Sequence, residues 1–120
     1  MKKKTLVIGA SLNPDRYSNR AINNLVAHQH PTVAIGLKEG IVAGVAIKTD
    51  MPIFDAIDTV SLYLNPQRQA EYYKYIIALK PSRVIFNPGA ENEEFMDLLT
   101  KNKIPFEAAC TLVLLATNQF

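Results

Sequence analysis

The sequence predicts an α/β protein: one domain over residues 1–120, with a mostly parallel sheet of about five strands and helices on both faces. Three observations predict it. Short apolar runs rich in β-branched residues recur along the chain, at Leu6–Ile8, Thr32–Ile35, Thr59–Leu64, Arg83–Phe86 and Ile104–Ala109. Segments with apolar residues at helical spacing lie between most of them. Gly or Asn-Pro follows four of the runs, as Gly9, Gly36, Asn65-Pro66 and Asn87-Pro88.

The first unit sets the pattern. Thr5-Leu6-Val7-Ile8 is a short buried strand, and the loop Gly9 to Asn19 breaks it. A helix follows over about Tyr17 to His28, with Ile22, Leu25 and Val26 on one face. Thr32–Ile35 is the second strand, ended by Gly36, and Leu37 to Gly40 is a loop. Ile41 to Ile47 is apolar but contains Gly44, and reads as a short or irregular strand region. After the turn at Asp50-Met51-Pro52 comes the strand Thr59–Leu64, stopped by Asn65-Pro66. The second helix covers about Gln67 to Leu79, and Pro81 closes it. The strand Arg83–Phe86, a helix over about Asn92 to Asn102 and the strand Ile104–Ala109 complete the alternation. Leu112 to Thr117 forms a short closing helix.

The composition excludes several classes of protein. With 120 residues, 48% of them hydrophobic, the chain can build one sizeable core. A net charge of +2 gives no basis for a nucleic-acid or membrane surface. No apolar run approaches the length of a membrane span. No signal-peptide pattern follows Lys2-Lys3-Lys4, so a cytoplasmic location is expected. The single cysteine, Cys110, excludes an internal disulfide and a cysteine-based metal site, and it reads as buried and inert.

In a parallel sheet with helices on both faces, ligands bind beyond the carboxyl ends of the strands. The segments expected there are Gly9 to Asn19, Gly36 to Gly40, Asn65-Pro66 and Asn87 to Asn92. The loop before the first helix suits a phosphate. A helix N-terminus leaves backbone N–H groups unpaired and carries partial positive charge. Gly9 lets a ligand approach the backbone, Ser11, Ser18 and Asn19 offer donors, and Arg16 adds a fixed charge. Only the first glycine of the G-x-G-x-x-G dinucleotide fingerprint is present. After the second strand, Lys38 suits a phosphate on a ribose better than bare hydroxyls. Catalytic groups are few. His28 and His30 fall at the end away from this rim, and Ser11 lies outside a G-x-S-x-G elbow. Tyr72, Tyr73 and Tyr75 read mostly as packing.

The chain resembles the small stand-alone CoA-binding proteins, which are similar to the N-terminal CoA-binding domain of the succinyl-CoA synthetase alpha subunit. The resemblance rests on Val7-Ile8-Gly9-Ala10-Ser11, on Pro14, Arg16, Ser18 and Arg20, and on Lys38 and Gly44. Ile57-Asp58, Gly89 with Asn92-Glu93-Glu94, and Cys110 extend it over nearly the whole chain. It implies a Rossmann-like fold that binds coenzyme A or an acyl-CoA at its rim. Gly9, Ala10, Ser11, Pro14, Arg16, Tyr17, Ser18 and Asn19 would hold the diphosphate, and Lys38 would lie near the 3′-phosphate. Asn65, Pro66, Pro88 and Gly89 would line the crevice toward the pantetheine arm. Relatives often carry Asn-Pro where Gly36-Leu37 stand here. The synthetase's ligase activity is not implied, since it uses a phosphorylated histidine from a second domain and a partner subunit. Binding without a catalytic apparatus is therefore the leading expectation. A small NADP-dependent oxidoreductase and a fold with no ligand are the alternatives. A protein partner or a homo-oligomer is compatible with the apolar Leu112 to Leu115.

Overall fold

The computed structural model describes residues 2–120. Thirteen short elements follow along the chain. They are β1 (Thr5–Ala10), α1 (Tyr17–Ala27), β2 (Thr32–Gly36), β3 (Gly40–Val42), β4 (Val45–Lys48), β5 (Thr59–Leu62), α2 (Pro66–Gln69), a 3₁₀ turn (Ala70–Tyr72), α3 (Tyr73–Leu79), β6 (Arg83–Phe86), α4 (Glu93–Lys101), β7 (Phe106–Ala108) and α5 (Thr111–Ala116). The sheet has seven strands in the order β3-β4-β2-β1-β5-β6-β7, and only the β3–β4 pair is antiparallel.

Seven strands replace the expected five because the segment read as irregular is a hairpin. Ile41 pairs with Ala46 and Val42 with Val45. Its turn residues, Ala43 (φ 51) and Gly44 (φ 81), both take the positive φ that a two-residue hairpin turn demands. The helix expected over Gln67 to Leu79 is also interrupted. Asn65 caps it by accepting from the Arg68 N–H at 3.1 Å, with Pro66 in the first turn. The buried Gln69 amide then donates to the Leu64 and Ala90 carbonyls at 2.8 and 2.7 Å. Asn92 donates to its oxygen at 3.0 Å. These bonds hold the first turn against the β6–α4 loop, and the chain tightens to a 3₁₀ turn before α3.

The period-two alternation of the strands supplies two cores. Leu6, Ile8, Val60, Leu62, Val84 and Phe86 face one layer, where Ile76, Phe95 and Leu99 pack on them. Val7, Ala10, Ala34 and Ile47 face the other, with Ile22, Leu25 and Leu115 from α1 and α5. The two innermost strands approach closely where they leave the sheet. Ile8 pairs with Ile35 and Ala10 with Gly36, so Gly9 is bulged out of register. A Cβ on Gly36 would overlap the Ala10 carbonyl oxygen and reach 3.0 Å from the Ile47 side chain. Gly36→Ala is therefore expected to lower stability by about 1–3 kcal/mol. A chemical-denaturation midpoint unchanged from wild type would show that β1 and β2 can part there without cost.

Candidate functional site

The order of the sheet fixes where a ligand can lie. The chain leaves β1 toward β2 on one side, and β5 flanks β1 on the other. Such a reversal opens a crevice beyond the strand ends. A cavity of about 730 Å³ lies there, bounded by the exits of β2, β1, β5 and β6 in that spatial order. That is within the range of small-molecule sites.

The loop after β1 is shaped from within. Ser11 Oγ accepts from the Asn13 N–H at 3.1 Å, and Asn13 Oδ1 accepts from the Asp15 N–H at 2.9 Å. The Arg16 N–H donates to the Asn13 carbonyl at 3.0 Å. The Asn19 side-chain amide donates to the Ser11 carbonyl at 2.9 Å. Arg16 is the N-cap of α1 and makes no side-chain cap hydrogen bond, so no capping side chain takes up the backbone N–H groups of the first turn. Gly9 has φ 95, and a Cβ there would stand 3.2 Å from the Tyr63 backbone. The glycine serves close packing of β1 on the exit of β5.

Of the residues expected to hold a ligand, Gly9, Ala10, Ser11, Arg16, Lys38, Asn65, Pro88 and Gly89 line the cavity. Pro14, Tyr17, Ser18, Asn19 and Pro66 do not. Ser18 and Asn19 are buried in the first turn of α1, and the Asn19 amide is spent on the loop's own carbonyl. Tyr17 is exposed, with the Arg20 guanidinium 5.7 Å from its ring centre. Pro14 sits on the exposed outside of the loop, and Pro66 begins α2.

The walls also include Leu12, Asn13, Gly36 and Leu37, which lie within the rim segments expected from the sequence, and Tyr63, Leu64, Arg68 and Tyr72, which sequence reasoning missed. Leu12 and Leu37 are large apolar side chains left exposed at the Lys38 end. Arg68 follows the capping residue Asn65 by three positions, and this spacing was the available signal. Tyr72 comes one turn later. Its hydroxyl is held above the usual phenol range by burial first and by the neighbouring Glu71, with Arg68 opposing.

The charged side chains in the wall itself are all cations, with Glu91 just behind it, accepting from the Gly89 N–H at 2.8 Å, and Glu71 beside Tyr72. Arg16, Lys38 and Arg68 line the cavity, and no Asp or Glu does. Among the described residues the one ion pair, Arg83 with Glu107 at 3.7 Å, does not involve the cavity wall.

Beneath the rim lies a buried polar knot. Asn87 donates to Ser61 Oγ and to the Leu62 carbonyl, each at 2.9 Å, and accepts from the Thr111 N–H at 2.9 Å. The Ser61 and Thr111 hydroxyls bond each other at 2.8 Å. The knot ties β5, β6 and α5 together. Beside it, the Tyr63 hydroxyl is buried without a hydrogen-bond partner among the described residues. Burial pushes it up to about 12, and the nearby Thr111 and Ser61 hydroxyls only partly oppose this. Cys110 is half-exposed at the start of α5 rather than buried as expected, because β7 ends before it.

No His, Cys, Asp or Glu is among the cavity-lining residues, whose titratable side chains are Arg16, Lys38, Arg68, Tyr63 and Tyr72. His30 lies at the far end of the sheet, where its Nδ1 accepts from the Lys3 N–H at 3.0 Å. Among the described residues no cluster could hold a metal ion, and no helix is long and apolar enough to cross a membrane.

Comparison with solved structures places this fold among known ones. One, titled a crystal structure of an uncharacterized protein, is 45% identical with a TM-score of 0.97, covering 100% of this chain and 99% of that one. A protein from Thermus thermophilus is 19% identical with a TM-score of 0.87, covering 99% of this chain and 91% of its own. A hypothetical protein from Pyrococcus horikoshii is 23% identical with a TM-score of 0.87, covering 98% and 84%. The last two establish the Rossmann-like fold alone. No curated protein matches the sequence. The model of the CoA binding domain family matches residues 3–116. With that match spanning nearly the whole chain, the protein belongs to the CoA binding domain family.

Proposed function

We propose that the protein binds coenzyme A or an acyl-CoA along the cavity at the strand exits, and that its role is binding rather than turnover. The observation that carries this reading is the cavity wall itself, with Lys38 and Arg16 on neighbouring strand exits and no carboxylate among its lining residues, at the point where the sheet order reverses. Coenzyme A is elongated and carries its charge at one end, as a 3′-phosphate and a diphosphate. Lys38 takes the 3′-phosphate, with Leu12 and Leu37 against the adenine. Ser11 and Arg16 take the diphosphate, and the arm runs on past Asn65 toward Pro88 and Gly89.

Both named cations are exposed, so water competes with each contact. A charge-assisted hydrogen bond is worth about 1.5–3 kcal/mol, and these belong at its lower end. Arg16→Ala and Lys38→Ala are each expected to weaken coenzyme A roughly tenfold by calorimetric titration. Lys38→Ala should also lose any preference for coenzyme A over dephospho-CoA. Unchanged affinity in both variants would overturn the assignment. An NADP-dependent oxidoreductase is the competing reading, and consumption of NADPH with a carbonyl substrate would revive it.

A further inference from the structure

We infer that this site selects acyl-CoA thioesters whose acyl group ends in a carboxylate, with Arg68 as the residue that reads it. The inference rests on the coenzyme A reading and extends it to the class of ligand. Its starting point is the order of the walls. Across the strand ends the cations run Lys38 after β2, Arg16 beyond β1, then Arg68 beyond β5, with Pro88 and Gly89 after β6. Neighbouring strands stand about 4.8 Å apart, so the loops and helix starts that carry these cations follow one another along the rim. Coenzyme A has anionic groups for the first two positions. At the third it presents only the uncharged pantetheine arm and what is attached to the sulfur.

A cation at that third position needs a reason. Among the described residues the Arg68 side chain makes no hydrogen bond and no ion pair; only its backbone N–H is engaged, by Asn65. It is half-buried, unlike Arg16 and Lys38, so it is partly stripped of water without a protein partner in return. Its backbone is fixed by the Asn65 cap and by the buried Gln69 beside it. Tyr72 lines the same wall one turn on, and its neutral hydroxyl is a second donor. A guanidinium fork with a phenol beside it matches a carboxylate, and nothing in free coenzyme A occupies that place.

The test compares matched thioesters by calorimetric titration: malonyl-CoA against propionyl-CoA, and glutaryl-CoA against valeryl-CoA. The wild-type protein is expected to prefer the carboxylated member of at least one pair roughly tenfold or more. Arg68→Gln should remove that preference, weakening the carboxylated member roughly tenfold and its uncharged match and free coenzyme A by clearly less. Arg68→Lys, which keeps the charge but not the fork, should retain part of it. Equal affinity within both pairs would overturn the inference. So would an Arg68→Gln variant that weakens free coenzyme A as much as its thioesters, since Arg68 would then be a phosphate contact. Both results leave the coenzyme A reading intact, whereas binding of no CoA form would remove that reading itself.

Discussion

Phe95→Ala is expected to lower folding stability by about 3–5 kcal/mol. Phe95 is fully buried in the layer formed by α3, α4 and the sheet. Its ring stacks on Tyr73 at 4.5 Å between centres and meets the edge of Phe86 at 5.9 Å. The α4 cap also closes on this residue, since Asn92 Oδ1 accepts the Phe95 N–H at 3.2 Å. Truncation leaves a cavity bounded by Tyr73, Phe86 and Leu99, residues of three different elements that cannot all collapse into it. Domains of this size have only about 5–15 kcal/mol in total, so the variant should lose a large share of its folded population on mild warming. Urea denaturation followed by circular dichroism measures the loss; a change under about 1 kcal/mol would contradict the packing described.

Asn87→Leu is the second large effect. Asn87 is 1% exposed, and its amide serves three groups at once: Ser61 Oγ, the Leu62 carbonyl and the Thr111 N–H. Leucine is close in size but satisfies none of them. Each buried group left unpaired costs about 1–3 kcal/mol, and Ser61 and Thr111 recover part through their mutual bond. A net loss of about 3 kcal/mol is expected. The damage should be felt first where α5 joins the sheet, because Thr111 is the first residue of that helix. Hydrogen exchange of the α5 amides should accelerate before that of β1. Uniform acceleration through the sheet would show instead that the knot belongs to the global core.

The alternation of strands and helices was legible because burial on both faces of a parallel sheet leaves continuous apolar runs such as Leu6–Ile8 and Val84–Phe86. The hairpin of β3 and β4 was not, since Gly44 reads as a break in a strand. Only the backbone shows Ala43 joining it at positive φ to make a turn. The interruption after Gln69 was hidden for a related reason. A glutamine in a helical pattern carries no sign that its amide will be drawn inward to the carbonyls of Leu64 and Ala90.

The rim was legible by position, because glycine and Asn-Pro mark strand exits whatever the ligand. Side-chain direction was not. Ser18 and Asn19 have the chemistry of ligand donors, but the first turn of α1 points them into the protein. Arg68 and Tyr72 reach the cavity from a helix in which Tyr72 read as packing and nothing in the sequence singled out Arg68. Cys110 looked buried from its apolar surroundings, yet β7 stops at Ala108 and leaves it half-exposed at the next turn.

The strand exits are proposed to hold coenzyme A by its phosphates. Calorimetric titration of the wild-type protein with coenzyme A, dephospho-CoA and NADP, at low and moderate salt, tests it most directly. Binding of coenzyme A is expected to weaken with salt and to weaken again, roughly tenfold, when the 3′-phosphate is removed. Binding of NADP without binding of coenzyme A would contradict it, as would a coenzyme A affinity indifferent to both salt and the 3′-phosphate.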